Sequence, residues 1–174
     1  MTNERVRVLG IDPGTSVTGW GVVEAYGTSF RRVASGAVAL RAALSLGQRL
    51  RTIRAEIETL CRVHAPAALA LEKAFVAHNV QSAFRLGEAR GAVLIAAAES
   101  GVPVFEYAPA AVKVAVVGYG RADKKQIMRG VALRLGADEA ERADEADALA
   151  LALCHLIGAR WHALTTARKR SAIR

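Results

Sequence analysis

Four acidic residues carry the chemistry this chain can do. Asp12 closes the apolar run "VRVLGID" and is followed at once by Pro13 and Gly14, and Glu72 closes a second short apolar run, "ALALE". In an extended strand alternate residues share a face, so Val6, Val8, Gly10 and Asp12 point one way, and Ala68, Ala70 and Glu72 likewise point together. Each carboxylate therefore stands at a strand end with a small residue as its nearest neighbour on that face. Pro13 biases Asp12 towards extended backbone, and Gly14 frees the chain to turn immediately afterwards. The other two acids lie in "RADEADALALAL". Asp144 and Asp147 are spaced i and i+3, which on a helix sets their Cβ atoms about 5–6 Å apart on one face. Alanines 146, 148, 150 and 152 leave little bulk between that helix and a sheet beneath it.

Four carboxylates gathered together repel, and some must take up protons unless cations neutralise them. Hard divalent ions with oxygen ligands, Mg²⁺ or Mn²⁺, do this and keep waters free for chemistry. Two such ions about 3.5–4 Å apart activate an attacking water and stabilise a leaving 3′ oxygen in phosphodiester hydrolysis. Taken singly, Asp12, Asp144 and Asp147 also have a plain structural reading. First-turn acids suit the helix dipole and N-capping, and an aspartate before Pro-Gly suits a turn.

The charge distribution points to a polyanionic partner. The net charge is +8 with a pI near 10.2, and five of the excess charges, Arg160, Arg168, Lys169, Arg170 and Arg174, fall within residues 159–174. Upstream, Lys113, Arg121, Lys124, Lys125, Arg129 and Arg134 stand against Asp123 alone, and six acids from Asp138 to Asp147 then face only Arg142. Adjacent blocks of opposite sign fit a metal site beside a phosphate-binding surface, and they equally fit a solvated helix pair laced by salt bridges.

The elements that must hold these residues follow from hydrophobic periodicity. Residues 5–12, 17–24 and about 29–40 read as three strands in an antiparallel meander. Leu50, Ile53, Ile57 and Leu60 recur at helical spacing up to Pro66. Strand 68–72, an alanine-rich helix 78–99, strand 102–107 and helices 109–116, 123–136 and 143–158 complete the order. The expected architecture is α/β: a five-stranded mixed sheet, made of the three-strand antiparallel meander plus two further strands, with helices on both faces. If the first and fourth strands are adjacent and parallel, Asp12 and Glu72 emerge together at the C-terminal edge, where open α/β sheets place their sites. The domain spans 1–158, and 159–174 reads as a basic, mobile extension that adds general, salt-sensitive DNA affinity.

Other classes are less well served. Cys61 and Cys154 are too few for a disulfide framework and lack the paired spacing of a zinc site. No apolar run approaches the ~18 residues that span a bilayer, and no signal segment opens the chain, so a cytoplasmic protein is expected.

With these motifs in view, "LGIDPGTSVTGWGVV", "LEKAFVAHNVQSAFRLGEARGAVL", "PVFEYAPAAVKVAVVGYGRADKKQ" and "ADEADALALALCH" together resemble the RuvC-type Holliday-junction resolvases, a family with the ribonuclease-H-like fold. The resemblance covers most of residues 6–157 and implies that Asp12, Glu72, Asp144 and Asp147 bind two divalent ions, Mg²⁺ or Mn²⁺, per active site. It further implies phosphate contacts from Lys113 and Lys124, with Arg121 and Lys125 beside them in the same basic stretch, and base contacts from Phe75 at the junction centre. Lys73, directly after Glu72, departs from the neutral amide expected there. A homodimer acting on four-way junction DNA, working with a branch-migration motor and its junction-holding subunit (RuvA and RuvB type), is implied as well. Helix 78–99 is either the dimer interface or a core helix. Competing readings are a non-catalytic junction-binding module, a ribonuclease-H-like nuclease for another substrate, and an actin-like ATPase, which would need a second domain that 174 residues do not supply.

Overall fold

Strands come first and form where Val, Ile and Leu alternate with small or polar residues. The computed structural model describes residues 5–14, 16–73, 80–140 and 142–171. Strands β1 (Val6–Asp12), β2 (Val17–Tyr26) and β3 (Ser29–Ala39) make the antiparallel meander. Helix α1 (Leu46–His64) leads into β4 (Ala68–Glu72), and α2 (Val80–Glu99) leads into β5 (Val104–Tyr107). Helices α3 (Pro109–Val117), α4 (Lys124–Leu135) and α5 (Ala143–Ser171) follow. The sheet order is β3-β2-β1-β4-β5, with β1, β4 and β5 mutually parallel.

Side-chain alternation divides the core into two layers. Leu9, Ile11, Val22, Leu69 and Leu71 face α1 and α2, where Ile53, Ile57 and Val93 are fully buried against them. Val8, Val23, Ala68 and Ala70 face α3, α4 and α5. Cys61 belongs to the first layer and Cys154 to the second, so the sheet separates the two free thiols and they share no metal site.

One element departs from its expected length. Helix α5, expected to stop at 158, continues to Ser171. A single glycine costs a helix only about 1 kcal/mol relative to alanine, and Gly158 is followed by good helix formers such as Ala159, Arg160 and Leu164. The shorter β5 has a local cause: Pro103 has no N–H to add to the ladder, although its carbonyl accepts from Leu69 N at 2.9 Å.

The site is set by how closely α5 lies on the sheet. On the α5 face the paired rungs of β1 and β2 are Val8 with Val23, Gly10 with Gly21, and Asp12 with Gly19. A Cβ on Gly10 would sit 1.9 Å from the Ala148 carbonyl oxygen, and one on Gly19 would sit 2.1 Å from the Asp144 carbonyl oxygen. A Cβ on Gly21 would meet the Leu149 side chain at 2.7 Å. Helix backbone rests on strand backbone at Gly10 and Gly19, which the absence of a Cβ on the strand side allows.

Gly10→Ala should therefore lower stability by about 2–3 kcal/mol, because neither backbone can yield without moving the helix. Gly47→Ala, in α1 where an added Cβ meets nothing within 4 Å, is the control and should be neutral or slightly stabilising. Urea midpoints measure both, and an unchanged midpoint for Gly10→Ala would contradict the close-docking account.

Candidate active site

Because β1 and β4 are adjacent and parallel, with Ile11 opposite Leu71, their terminal residues Asp12 and Glu72 leave the sheet at one edge. Helix α5 starts over that edge, with Asp144 in its first turn directly above Gly19. Asp12, Glu72 and Asp147 line a single cleft of about 170 Å³, together with Lys113 from α3. Asp144 does not line the cleft but contributes to the field at Asp12.

Two basic groups answer this charge. The Lys124 Nζ lies 3.1 Å from Asp147 Oδ2, and an Arg142 guanidinium nitrogen lies 3.6 Å from Asp144 Oδ2. Lys124 is held there by a capping box: Asp123 accepts from Gln126 N at 2.8 Å while the Gln126 amide oxygen accepts from Asp123 N at 2.9 Å. Asp123, the lone acid of the basic stretch, thus serves the helix terminus. Arg121 and Lys125 are exposed beside Lys124, and neither pairs with a carboxylate among the described residues. Phe75 lies outside the described residues.

The acids do not titrate independently. Burial, then Asp147, Glu72 and Asp144 in decreasing order, push the Asp12 carboxyl up to about 7, with Lys124 opposing. Burial and Asp147 also raise Glu72, opposed by Arg90 and Lys113. The hydrogen bond to Asp147 raises Lys124 in turn. Among the described residues no group of three or more His, Cys, Asp or Glu side chains is set to hold a metal ion as it stands. The donor set nevertheless fits a hard divalent cation: it is all carboxylate oxygen, and its negative charge is incompletely balanced.

Some supporting residues escaped sequence reasoning. Arg90, only 9% exposed, donates to the Glu72 backbone carbonyl and to the Glu106 carboxylate. Its signal was available, since helical spacing puts it on the buried face with Ala89, Val93 and Ala97. Glu145 is also buried, and Ser35 Oγ donates to it at 3.2 Å, tying β3 to α5.

Comparison with known proteins agrees with this geometry. The family model described as crossover junction endodeoxyribonuclease RuvC matches residues 8–155. The crossover junction endodeoxyribonuclease RuvC of Magnetococcus marinus is 44% identical over 160 residues, covering 92% of this chain and 89% of that protein. Its counterpart in Trichlorobacter lovleyi is 45% identical over 151 residues, covering 87% and 85%. A solved structure of Thermus thermophilus RuvC in complex with Holliday junction substrate superposes with a TM-score of 0.86 at 38% identity, covering 90% of this chain and 96% of that one.

The raised Asp12 carboxyl gives the metal-free protein a distinct pH dependence. A carboxyl whose folded value lies above its unfolded one stabilises the fold while protonated, fully below the unfolded value near 3.8, and this contribution is lost as pH rises through about 7. Without divalent ions the melting temperature should fall between about pH 4 and 7. Asp12→Asn should flatten that fall and melt roughly 3 °C or more above wild type at pH 8. Parallel melting curves for the two proteins would refute it.

Proposed function

The chain belongs to the crossover junction endodeoxyribonuclease RuvC family, with its ribonuclease-H-like fold, and from that we propose that it is an endonuclease resolving four-way (Holliday) DNA junctions in recombination and repair. The observation that carries this reading is the cleft shared by Asp12, Glu72 and Asp147, with Lys113 in its wall and Lys124 on Asp147. An acid cluster next to solvent-accessible lysines suits phosphodiester cleavage better than the burial of a neutral ligand.

Cleavage in this family is metal-dependent, and in our reading two ions, Mg²⁺ or Mn²⁺, occupy each site. Asp12, Glu72, Asp144 and Asp147 would hold them. Bound there, such ions lower the pKa of a coordinated water and stabilise the leaving 3′ oxygen. The chain's own groups do the rest. Lys124 exchanges Asp147 for the scissile phosphate, and Lys113, in the wall of the cleft, adds a second positive charge. Arg121 and Lys125 extend this surface along the DNA backbone. Phe75, just past the site, stacks on an unpaired base at the junction centre. Products are a 5′-phosphate and a 3′-hydroxyl.

Two-fold symmetry of the junction calls for two such sites, and a homodimer supplies them. Helix α2 carries support for this. Its outward face presents Val80 at 63%, Phe84 at 69% and Ile95 at 54% exposure, with Gly87 and Gly91 between them bearing open space. An apolar stripe with two small residues four apart lets a second copy of the helix approach closely. Work beside a branch-migration motor and its junction-holding subunit, in the cytoplasm, completes the proposal. No helix among the described residues is long and apolar enough to cross a membrane.

The test is a synthetic four-way junction with each strand end-labelled, incubated with Mg²⁺ or Mn²⁺ beside duplex and RNA–DNA hybrid controls. Wild type should cut two opposite strands symmetrically. Asp12→Asn should lose about three orders of magnitude in rate, roughly 4 kcal/mol, while still binding the junction. Tight binding without nicks from wild type would favour the binding-module reading, and equal cutting of the controls would remove the junction from the function.

A further inference from the structure

Arg90 is out of place in its surroundings. It lies on the buried face of α2 among Ala89, Ala92, Val93, Ala96 and Ala97, yet it carries a permanent charge at 9% exposure. A guanidinium taken out of water is tolerated only when its donors are engaged. Here Nη1 donates to the backbone carbonyl of Glu72 and Nη2 to a carboxylate oxygen of Glu106.

The register shows what this fork joins. Leu71 pairs with Glu106 and Glu72 with Tyr107 across β4 and β5. Alternation sends Leu71 and Glu106 towards α1 and α2, and it sends the Glu72 and Tyr107 side chains towards α5. Arg90 therefore grips the ends of both strands from the face opposite the cleft. On the cleft side Tyr107 Oη lies 2.7 Å from His155 Nδ1, and Lys73 N donates to Tyr107 O at 2.8 Å. Glu72 is the last residue of β4, and the peptide unit after it is held at both ends, its N–H (Lys73) by the Tyr107 carbonyl and its carbonyl by Arg90. The Arg90 charge also opposes the upward push on the Glu72 carboxyl without touching it.

We infer that Arg90 is a positioning residue: by holding the Glu72 carbonyl against β5 from behind the sheet, it fixes the direction in which the Glu72 carboxylate meets a divalent cation in front. The inference rests on the resolvase reading only for the cation's purpose, because the grip itself is geometric. Groups that orient metal ligands at one remove are worth about 10–100-fold in metal affinity. A planar two-point fork does this where an ammonium cannot. Arg90 also belongs to the helix whose outer stripe is the proposed dimer face, so the clamp ties the dimer helix to the site.

The experiment uses the full chain as wild type, Arg90→Gln, Arg90→Lys and Glu106→Gln. Calorimetric Mn²⁺ titration without DNA is the primary readout. Melting temperature, metal-free junction affinity and the Mn²⁺ dependence of nicking accompany it. Arg90→Gln should weaken Mn²⁺ binding roughly tenfold or more and raise the half-saturating Mn²⁺ for nicking by a similar factor. Most of its maximal rate should return at saturating metal, and junction affinity should stay within about twofold of wild type. Arg90→Lys should fall between, and Glu106→Gln, which keeps an oxygen acceptor, should stay near wild type. Wild-type Mn²⁺ affinity in Arg90→Gln, or a lowered melting temperature as its only change, would reduce Arg90 to a structural ion pair. Should Arg90→Gln fail to fold, unchanged Mn²⁺ affinity in Arg90→Lys overturns the inference equally. Failure of the resolvase reading would look different: wild type would bind Mn²⁺ but nick no junction, leaving the Mn²⁺ shift to be measured.

Discussion

Backbone-to-backbone contact between α5 and the first two strands is the constraint on which this structure depends. Gly10 lies under Ala148, Gly21 under Leu149 and Gly19 under Asp144, with Ala146, Ala148, Ala150 and Ala152 all buried along the helix. With larger residues at these positions, side chains would fill the gap and Asp144 and Asp147 would stand off from the strand ends. Removing those side chains lets the helix settle until its acids share a field with Asp12 and Glu72. The core is thus thinnest where the charge is greatest.

That economy of volume has an electrostatic consequence. Asp12 is pushed to about 7 chiefly by burial and then by the three other acids, and only Lys124 opposes the rise. The fold carries this unfavourable cluster because large apolar layers on both sides of the sheet hold it in place, Leu9, Ile11, Leu69 and Leu71 behind and Leu149 and Leu153 in front. A divalent cation bound there would convert the same repulsion into binding energy. The proposed site thus lies where the fold is least satisfied on its own, with Lys124 and Arg142 already paired to two of its acids.

Much of this was legible in the sequence, for physical reasons that can be named. Period-two alternation assigned Gly10 and Asp12 to one face, and the i, i+3 spacing paired Asp144 with Asp147. The expected mixed sheet and its two layers followed from the same periodicities. Less was legible where tertiary contact decides. The mutual approach of Gly10 and Ala148 needs residues far apart in the chain, so the alanines hinted at closeness without showing its partner. Arg90 was hidden by treating an alanine-rich helix as uniform, although its place on the buried face was computable from spacing alone. The extension of α5 to Ser171 escaped because one glycine at 158 is a weaker stop than it looks. Asp123 was counted as a charge when its local role is a cap.

Whether close docking holds Asp12 partly protonated until a cation binds is tested most directly by a count of protons. Calorimetric Mn²⁺ binding at pH 6.5 in two buffers of different ionisation enthalpy gives the number released per chain. The account predicts release of a substantial fraction of one proton in wild type, most of it abolished in Asp12→Asn. Mn²⁺ binding to wild type with no proton release would mean that Asp12 is already ionised and that the close-packed cluster is not what governs the site.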